Sequence, residues 1–235
     1  DFNDTISGNN NMNALWGGPG DDTLAGDAGN DCVWGEDGND TLNENEGTSL
    51  AEGSGTGWEN GADALSGGAG ADDVIDYSGR STRVVINLGI ISWHNDGADP
   101  NADSISEECD DVWFDTENAK SGSGNDMISA DFSNNQSDNE FWGGSGNDQL
   151  DGGAGNDTFH EDAAANGSDM MSGRGGSDTV DYSLRTNAVM VTLDGVSNDG
   201  EAGEGDNTAA GMVSYGTEGI CGEDHSGFGE LSNQP

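Results

Sequence analysis

The chain has 235 residues, of which 47 are acidic, 5 are basic and 41 are glycine, for a formal net charge of −42. Low hydrophobicity with high net charge is typical of disordered proteins, because a compact state would force carboxylates together. So few Lys and Arg residues argue against nucleic acid as a partner, because phosphate contacts need those side chains. No run approaches the roughly 18 apolar residues of a membrane-spanning helix.

The chain begins with a nine-residue repeat that continues to Asn43. Each unit reads glycine, two variable residues, glycine, one variable residue, aspartate, one variable residue, an aliphatic residue and one variable residue. Three such units follow one another from Gly17 to Asn43, and the frame extends backwards with Asn13 and Asp4 in the aspartate position. Tandem glycine-rich units of this period are typical of a parallel β-roll whose loops bind Ca²⁺.

The unit predicts its own local structure. Its first six residues favour a turn, in which glycine permits positive φ and close backbone approach. Its last three favour a short strand whose middle side chain points inward. Two units then form one coil, so that loops two units apart stack on the same side. The predicted inward residues form a thin core: Ile6, Leu15, Leu24, Val33, Leu42, Leu65, Ile128, Phe141, Leu150, Phe159, Met171 and Val180.

Residues 1–75 form the first predicted block. Within it, residues 44–57 are rich in Gly, Ser, Thr and Glu and break the frame, which indicates a loop. The frame returns with Asp63 in the aspartate position. In the next unit the glycine spacing selects Asp72, whereas the match to a later segment selects Asp73.

Residues 76–120 are predicted to be a spacer. Val84, Ile86 and Leu88 alternate with outward positions, which indicates a half-buried strand. An acidic loop follows, in which Asn95-Asp96-Gly97 is followed by Asp103. Asp96 and Asp103 could bind Ca²⁺ or could simply lie on a solvated surface.

Repeat units return in residues 121–181, with Asp126, Asn139, Asp148, Asp157, Asp169 and Asp178 in the aspartate position. Residues 182–235 contain a second spacer and a degenerate terminal repeat. Asp76-Tyr77-Ser78-Gly79-Arg80 recurs as Asp181-Tyr182-Ser183-Leu184-Arg185, and the acidic loop recurs with Asp199 and Asp206 in the places of Asp96 and Asp103. The chain is thus two copies of a longer module.

The tandem units, the Asp-Tyr-Ser-x-Arg segment and the acidic loop resemble RTX (repeats-in-toxin) proteins, including secreted myxobacterium-like surface proteins with this long spacer. The resemblance implies an all-β parallel β-roll with two strand-and-loop spacer insertions. It also implies several bound Ca²⁺ ions, with Asp4, Asp22 and Asp40 along one side of the first block and Asp31 along the other.

Hard carboxylate and carbonyl oxygens select Ca²⁺, so that folding and Ca²⁺ binding are expected to be one equilibrium. An aspartate in an isolated glycine turn commonly only caps the turn; in tandem units, ligation is the stronger reading. The full set of candidate ligand positions is Asp4, Gly17, Gly20, Asp22, Gly26, Gly29, Asp31, Gly35, Gly38, Asp40, Asp63, Gly67, Gly70, Asp72, Asp73, Asp96, Asp103, Asp126, Gly143, Gly146, Asp148, Gly152, Gly155, Asp157, Asp169, Asp178, Asp199 and Asp206.

Outward aromatic residues form a second pattern. Trp16 and Trp34 both occupy the ninth position of a unit and are two units apart, and Trp142 and His160 repeat this arrangement. These rings could pack beneath the spacers, or could form a contact surface for another subunit or a glycan.

The sequence shows neither a Gly-x-Ser-x-Gly nor a His-Glu-x-x-His motif, so we expect no enzyme activity. Three cysteines, Cys32, Cys109 and Cys221, allow one disulfide and a remaining thiol, or reduced thiols throughout. The leading expectation is a Ca²⁺-binding extracellular structural or adhesive protein that self-associates into a surface layer or filament. One alternative is the carboxy-terminal secretion and folding module of a larger hydrolase or toxin; another is a glycan-binding module.

Overall fold

The computed structural model describes residues 2–27, 31–43, 64–88, 96–98, 110–130, 137–208 and 213–216. Every regular element among these residues is a strand, which confirms the predicted all-β fold. The strands are β1 (Thr5–Ser7), β2 (Ala14–Pro19), β3 (Thr23–Ala25), β4 (Cys32–Asp37), β5 (Thr41–Asn43), β6 (Ala64–Ala69), β7 (Val74–Asp76), β8 (Val84–Asn87), β9 (Gly97–Ala98), β10 (Asp111–Val112), β11 (Asn118–Lys120), β12 (Met127–Ser129), β13 (Glu140–Trp142), β14 (Gln149–Asp151), β15 (Thr158–His160), β16 (Met170–Ser172), β17 (Thr179–Tyr182), β18 (Val189–Met190), β19 (Gly200–Glu201), β20 (Asn207–Thr208) and β21 (Val213–Gly216).

One wall of the roll is a nine-stranded parallel sheet in the order β1-β3-β5-β7-β11-β13-β15-β17-β21. Ile6 pairs with Leu24, and Leu24 pairs with Leu42, which confirms the predicted step of two units. Leu42 then pairs with Ile75, so the longer connection between these two strands leaves the register intact. The middle residue of each three-residue strand therefore stays on the inner face.

The opposite wall contains a four-stranded sheet, β10-β6-β4-β2, and a six-stranded sheet, β20-β16-β14-β12-β8-β9. All pairings in these two sheets are parallel except that of β8 with β9. The predicted inward residues lie between the walls: Leu24, Val33, Leu42, Leu65, Ile128, Phe141, Phe159 and Val180 have no exposed surface. Ile6 and Leu15, in the first coils, are partly buried and pack against this core.

The two spacers are inserted into the roll in the same way. In the first, β8 lies apart from β6, β9 turns back antiparallel to β8, and β10 pairs with β6. In the second, β18 pairs antiparallel with β19, and β20 then pairs with β16. An antiparallel bridge joins Asp96 to Asp110 in the first spacer and Asp199 to Asp206 in the second. The sequence repeat is therefore also a repeat of topology.

The first spacer places more strands in one wall than in the other, whereas β18 and β19 of the second spacer form a separate two-stranded sheet. Between β7 and β13 the nine-stranded wall has only β11, whereas β8, β9 and β10 belong to the opposite wall. Tyr77 and Tyr182, which are among the largest fully buried side chains, belong to the core at the two spacers.

The prediction of a half-buried strand is wrong for β8, because Val84, Val85, Ile86 and Asn87 are all buried. Val84 and Ile86 belong to the core, whereas Val85 is fully buried outside it, so the outer face of β8 is also covered. An alternating pattern in the sequence cannot show that both faces of a strand are buried. β18 in the second spacer does alternate, since Val189 is buried and Met190 is 46% exposed.

Candidate calcium sites in the turns

The aspartate of a repeat unit accepts a hydrogen bond from the backbone of the preceding coil. One carboxylate oxygen, Oδ1 of Asp22, accepts a hydrogen bond of 2.7 Å from the Asp4 N–H. In the same way Asp40 accepts from the Asp22 N–H at 2.8 Å, and Asp73 accepts from the Asp40 N–H at 2.7 Å. These bonds form a ladder of carboxylates along one side of the roll.

The ladder recurs on the other side and in the later block. Asp31 accepts from the Asn13 N–H, and Asp126 accepts from the N–H of Val84, the first residue of β8 in the first spacer. The further carboxylates with such a bond to the preceding coil are Asp148, Asp157, Asp169 and Asp178. The repeat aspartates are therefore buried by the stacking of coils and do not merely cap their own turns.

The second carboxylate oxygen of most of these residues lacks a partner. Among the described residues, Oδ2 is buried and accepts no hydrogen bond in Asp22, Asp40, Asp73, Asp126, Asp148 and Asp157. Buried polar atoms in folded proteins are nearly always paired, and an unpaired buried carboxylate is costly. A bound cation is the natural partner for such an oxygen.

The first glycine of each unit leaves room for this oxygen. A Cβ on Gly17 would lie 2.7 Å from the carbonyl oxygen of Gly35, in the next coil, and would also overlap Oδ2 of Asp22. A Cβ on Gly35 would meet Oδ2 of Asp40 and the carbonyl oxygen of Gly67 in the same way. A carboxylate and a main-chain carbonyl thus flank one point, and these are the oxygen ligands that Ca²⁺ prefers. The residues fit the metal.

The second glycine of each unit has a different role. Gly38 and Gly155 have φ of 145° and 150°, in a region that side chains disfavour. A Cβ on Gly38 would run into the carbonyl of Gly20, and one on Gly155 would run into the carbonyl of Ser137, both one coil back. Close stacking of turns therefore requires glycine at this position.

Burial perturbs the ladder carboxylates strongly. It raises the pKa of Asp148 to about 8, with Asp169 and Asp126 adding repulsion. It raises the pKa of Asp73 and of Asp157 to about 7, again with neighbouring carboxylates opposing ionisation. Without a cation these groups hold protons at near-neutral pH, because burial and mutual repulsion both disfavour the charged form.

The structure also decides between the two candidates in the unit that begins at Gly67. Asp73 is fully buried in the ladder, whereas Asp72 is exposed and accepts from the Asn39 amide at 3.2 Å. Asp4 is exposed at the first described coil. The predicted positions Gly29, Asp63 and Asp103 lie outside the described residues, as do Cys109 and Cys221, whereas Cys32 lies half-buried on β4.

The aspartates of the acidic loops are bonded differently from those of the repeats. Asp96 accepts from the backbone N–H groups of Asn87 at 2.6 Å and of Val112 at 3.0 Å, one through each oxygen. Asp199 accepts from Thr192 at 2.5 Å and from Thr208 at 2.9 Å. Since both oxygens are used, these residues join the spacer strands to one another.

The sequence match of Asp103 to Asp206 is wrong, because Asp110 takes the corresponding place in the first spacer. The Tyr77 hydroxyl donates to Asp110 at 2.7 Å, as the Tyr182 hydroxyl donates to Asp206 at 2.8 Å. The first acidic loop is longer, so that equal spacing from Asp96 and Asp199 selects non-equivalent residues. The shared Tyr in Asp-Tyr-Ser-x-Arg is the signal that could have identified Asp110.

The second spacer contains a buried acidic cluster around Arg185. Its guanidinium lies 2.8 Å from Glu161 and 2.7 Å from Glu204, with all three side chains almost fully buried. Carboxylate oxygens of Glu161, Glu204 and Asp206 lie within 4.8 Å of one another. Burial raises the pKa of Glu161 to about 9. Arg185 is the cation that this cluster already contains.

The outward aromatic residues stack as their spacing predicts. The Trp16 and Trp34 rings lie 5.0 Å apart at 12°, on the wall of β2 and β4. Trp142 and His160 lie 4.4 Å apart at 7° on the nine-stranded wall, with the Lys120 ammonium 4.6 Å from the Trp142 ring. Trp16 is 54% exposed, so it is not packed beneath the part of the spacers that the structure describes.

The geometry defines a β-roll with cation sites between stacked turns, and comparison with known families identifies the repeat. The model of the RTX calcium-binding nonapeptide repeat (4 copies) matches residues 7–42, 59–79 and 121–159. These three segments therefore carry RTX calcium-binding nonapeptide repeats. No curated protein matches the chain significantly. Within the described residues, no helix is long and apolar enough to cross a membrane.

Proposed function

We propose that this chain is an extracellular structural and adhesive protein that folds when Ca²⁺ binds between its turns. The observation that supports this most directly is the row of buried Oδ2 atoms without partners. Those of Asp22, Asp40, Asp73, Asp148 and Asp157 face space kept open by glycine. Outside the cell Ca²⁺ sites of modest affinity are filled, and extracellular modules bind with Kd of about 10⁻⁴–10⁻³ M. RTX repeats and the myxobacterium-like spacer support secretion, and the proposal assigns the chain no catalysis and no nucleic-acid partner.

The first experiment measures folding against Ca²⁺. Far-ultraviolet circular dichroism in excess EGTA is expected to show loss of β structure, because cation binding and folding are coupled. Addition of Ca²⁺ is expected to restore it, whereas Mg²⁺ at the same concentration should not, because Mg²⁺ demands octahedral geometry and keeps its waters. Native signal and an unchanged melting temperature in EGTA would contradict the proposal.

Self-association into a layer or filament is the second part of the proposal, and exposed apolar surface supports it. Trp16 is 54% exposed and Met12 is 76% exposed in the first coils of the roll. Light scattering in Ca²⁺ is expected to show assemblies that Trp16→Ala weakens without a change in melting temperature. Monodisperse monomers of the parent chain in Ca²⁺ would count against assembly.

A glycan-binding role is a second candidate, and the flat Trp16–Trp34 stack favours it. Two stacked indole rings lie 5.0 Å apart, and that of Trp16 is 54% exposed; exposed apolar surface of this kind can mark an interaction site. A glycan array on the Ca²⁺-loaded protein, repeated with Trp16→Ala, separates the two roles. Binding that the substitution abolishes supports a glycan partner; no binding on the array leaves assembly as the use of this surface.

A further inference from the structure

The return of the first spacer to the roll lies directly on a repeat turn. Thr116 Oγ1 accepts a hydrogen bond of 3.2 Å from the Gly67 N–H, and the Ser66 hydroxyl donates to Asp115 Oδ2 at 2.7 Å. Glu117 Oε2 accepts from the Asp73 N–H at 3.2 Å. Residues 115–117 do not follow the nine-residue pattern, yet they occupy the place of the next turn in the stack.

This segment reproduces the oxygen arrangement of a repeat turn. In the regular coils, a Cβ added to the first glycine would lie between Oδ2 of the unit's aspartate and a glycine carbonyl oxygen of the next coil. A Cβ added to Gly67 would lie 2.6 Å from Oδ2 of Asp73 and 2.6 Å from the carbonyl oxygen of Asp115. Asp115 therefore stands where the first glycine of the next unit would stand.

Glu117 takes the place of the ladder aspartate. It accepts the N–H of Asp73, as Asp73 accepts that of Asp40. In a repeat unit the aspartate lies five positions after the first glycine, whereas Glu117 lies only two positions after Asp115. The additional methylene of glutamate suits this shorter turn, because it extends the reach of the carboxylate.

Two oxygens at this junction are buried and accept no hydrogen bond among the described residues: Oδ2 of Asp73 and Oδ1 of Asp115. Asp73 itself has no exposed surface. Burial raises the pKa of Asp73 to about 7, and the charges of Glu117, Asp40 and Asp115 act in the same direction. Burial and the charge of Asp115 also raise the pKa of Glu117. The junction thus concentrates negative charge around a carboxylate and a carbonyl oxygen that face each other.

We propose that Asp73 and Asp115 bind a Ca²⁺ ion at the junction of the first block with the first spacer, with Glu117 closing the turn. The site lies outside the nonapeptide pattern and rests on the calcium-dependent folding proposed above. It makes the last turn of the first block a complete metal site, because the spacer supplies the oxygens that a further repeat unit would have supplied.

The test is the number of bound Ca²⁺ ions in Asp115→Asn, measured by equilibrium dialysis of the full chain at saturating Ca²⁺. Asparagine can still accept from Ser66 through its oxygen, but its NH₂ group replaces Oδ1 and repels a cation. We expect one fewer ion than in the parent chain. Asp194→Asn is the matched control: it removes the same charge from an exposed turn in the second spacer and is expected to retain every ion.

A second measurement reports on the site without removing a ligand. Tb³⁺ in a calcium site emits when a nearby tryptophan is excited, and Trp113 lies just before Asp115 in the chain. Trp113→Phe is expected to lower the sensitised emission of the parent chain but to have no effect in the Asp115→Asn background. An unchanged ion count in Asp115→Asn, or equal losses of emission in the two backgrounds, would overturn the junction site. If the parent chain binds no Ca²⁺, the proposed function fails as well; if it binds Ca²⁺ normally, only the junction site fails.

Discussion

Protons should substitute for Ca²⁺ in the fold of this chain. The buried ladder carboxylates have raised pKa values, with that of Asp148 at about 8 and those of Asp73 and Asp157 at about 7. In the unfolded chain the same carboxyl groups titrate near a pH of about 3.9. Above that pH the unfolded state has released protons that the Ca²⁺-free folded state retains. The Ca²⁺-free fold is therefore favoured at low pH, and loses stability as pH rises towards about 8.

The size of this effect follows from the shifts. Between about pH 5 and a raised folded-state pKa, each pH unit changes the free energy of unfolding by about 1.4 kcal/mol for each such group. Lowering the pH from about 7.5 to about 5 therefore raises the free energy of unfolding of the Ca²⁺-free chain by about 3 kcal/mol through Asp148 alone. The total stability of a domain is about 5–15 kcal/mol. A few ladder carboxylates are thus enough to decide whether the chain folds without Ca²⁺.

The assay is circular dichroism and urea unfolding in EGTA over this pH range. We expect β structure to be weak near neutral pH and to return as the pH falls. Asp148→Asn removes one titrating group but keeps an oxygen for the Asp126 N–H, which donates at 2.8 Å. It should stabilise the Ca²⁺-free chain near neutral pH by up to about 3 kcal/mol and reduce the pH dependence. Ca²⁺-free stability that is flat or falls as the pH is lowered to about 5 would refute the reasoning.

Three further predictions concern the turns and the second spacer. Glu36, at φ 77°, has a left-handed backbone conformation. Glu36→Gly is therefore expected to raise the free energy of unfolding in Ca²⁺ by about 0.5–1 kcal/mol. A lower free energy of unfolding in the variant would show that the backbone of Glu36 is not strained. The methyl group of Gly143→Ala would lie 2.7 Å from Asp148 Oδ2. The Ca²⁺ concentration at the midpoint of folding should therefore rise about tenfold, equivalent to about 1.4 kcal/mol. An unchanged midpoint would exclude a ligand role for that oxygen. Arg185→Met leaves Glu161 and Glu204 buried without their cation, and should lower the free energy of unfolding, measured in urea, by about 3–5 kcal/mol. Arg174 is the control, because its side chain is 49% exposed; Arg174→Met should lower the free energy of unfolding by less than about 1 kcal/mol.

The repeat unit was predictable from sequence because its structure is local. A period of nine with one aliphatic residue per unit fixes which side chain points inward, and Leu24, Leu42 and Phe159 are fully buried as expected. The pairing step also follows, since parallel strands two units apart must align their inward residues. The unit further requires positive φ at its second position, which Gly18 meets at 97° and Glu36 only with strain.

Contacts between coils were not predictable, because no local spacing records them. The choice of Asp73 over Asp72 depends on which carboxylate meets the Asp40 N–H from the preceding coil. The role of Asp110 depends on the Tyr77 hydroxyl, which is distant along the chain. Glu117 was missed because it lies outside any nine-residue frame, although it bonds to the repeat turn at Asp73.

The roll and the spacers satisfy their buried carboxylates by different means. A repeat aspartate such as Asp148 gives one oxygen to the preceding coil and leaves the other for a cation. A spacer aspartate such as Asp206 gives one oxygen to the Asp169 N–H and the other to the Tyr182 hydroxyl. The two systems are continuous, because Asp169 in turn accepts from Asp148. On the proposed calcium-dependent folding, Ca²⁺ between the turns of residues 121–181 would fix the coil to which the second spacer is bonded. Order in that spacer would then depend on ions that its own aspartates do not need to bind.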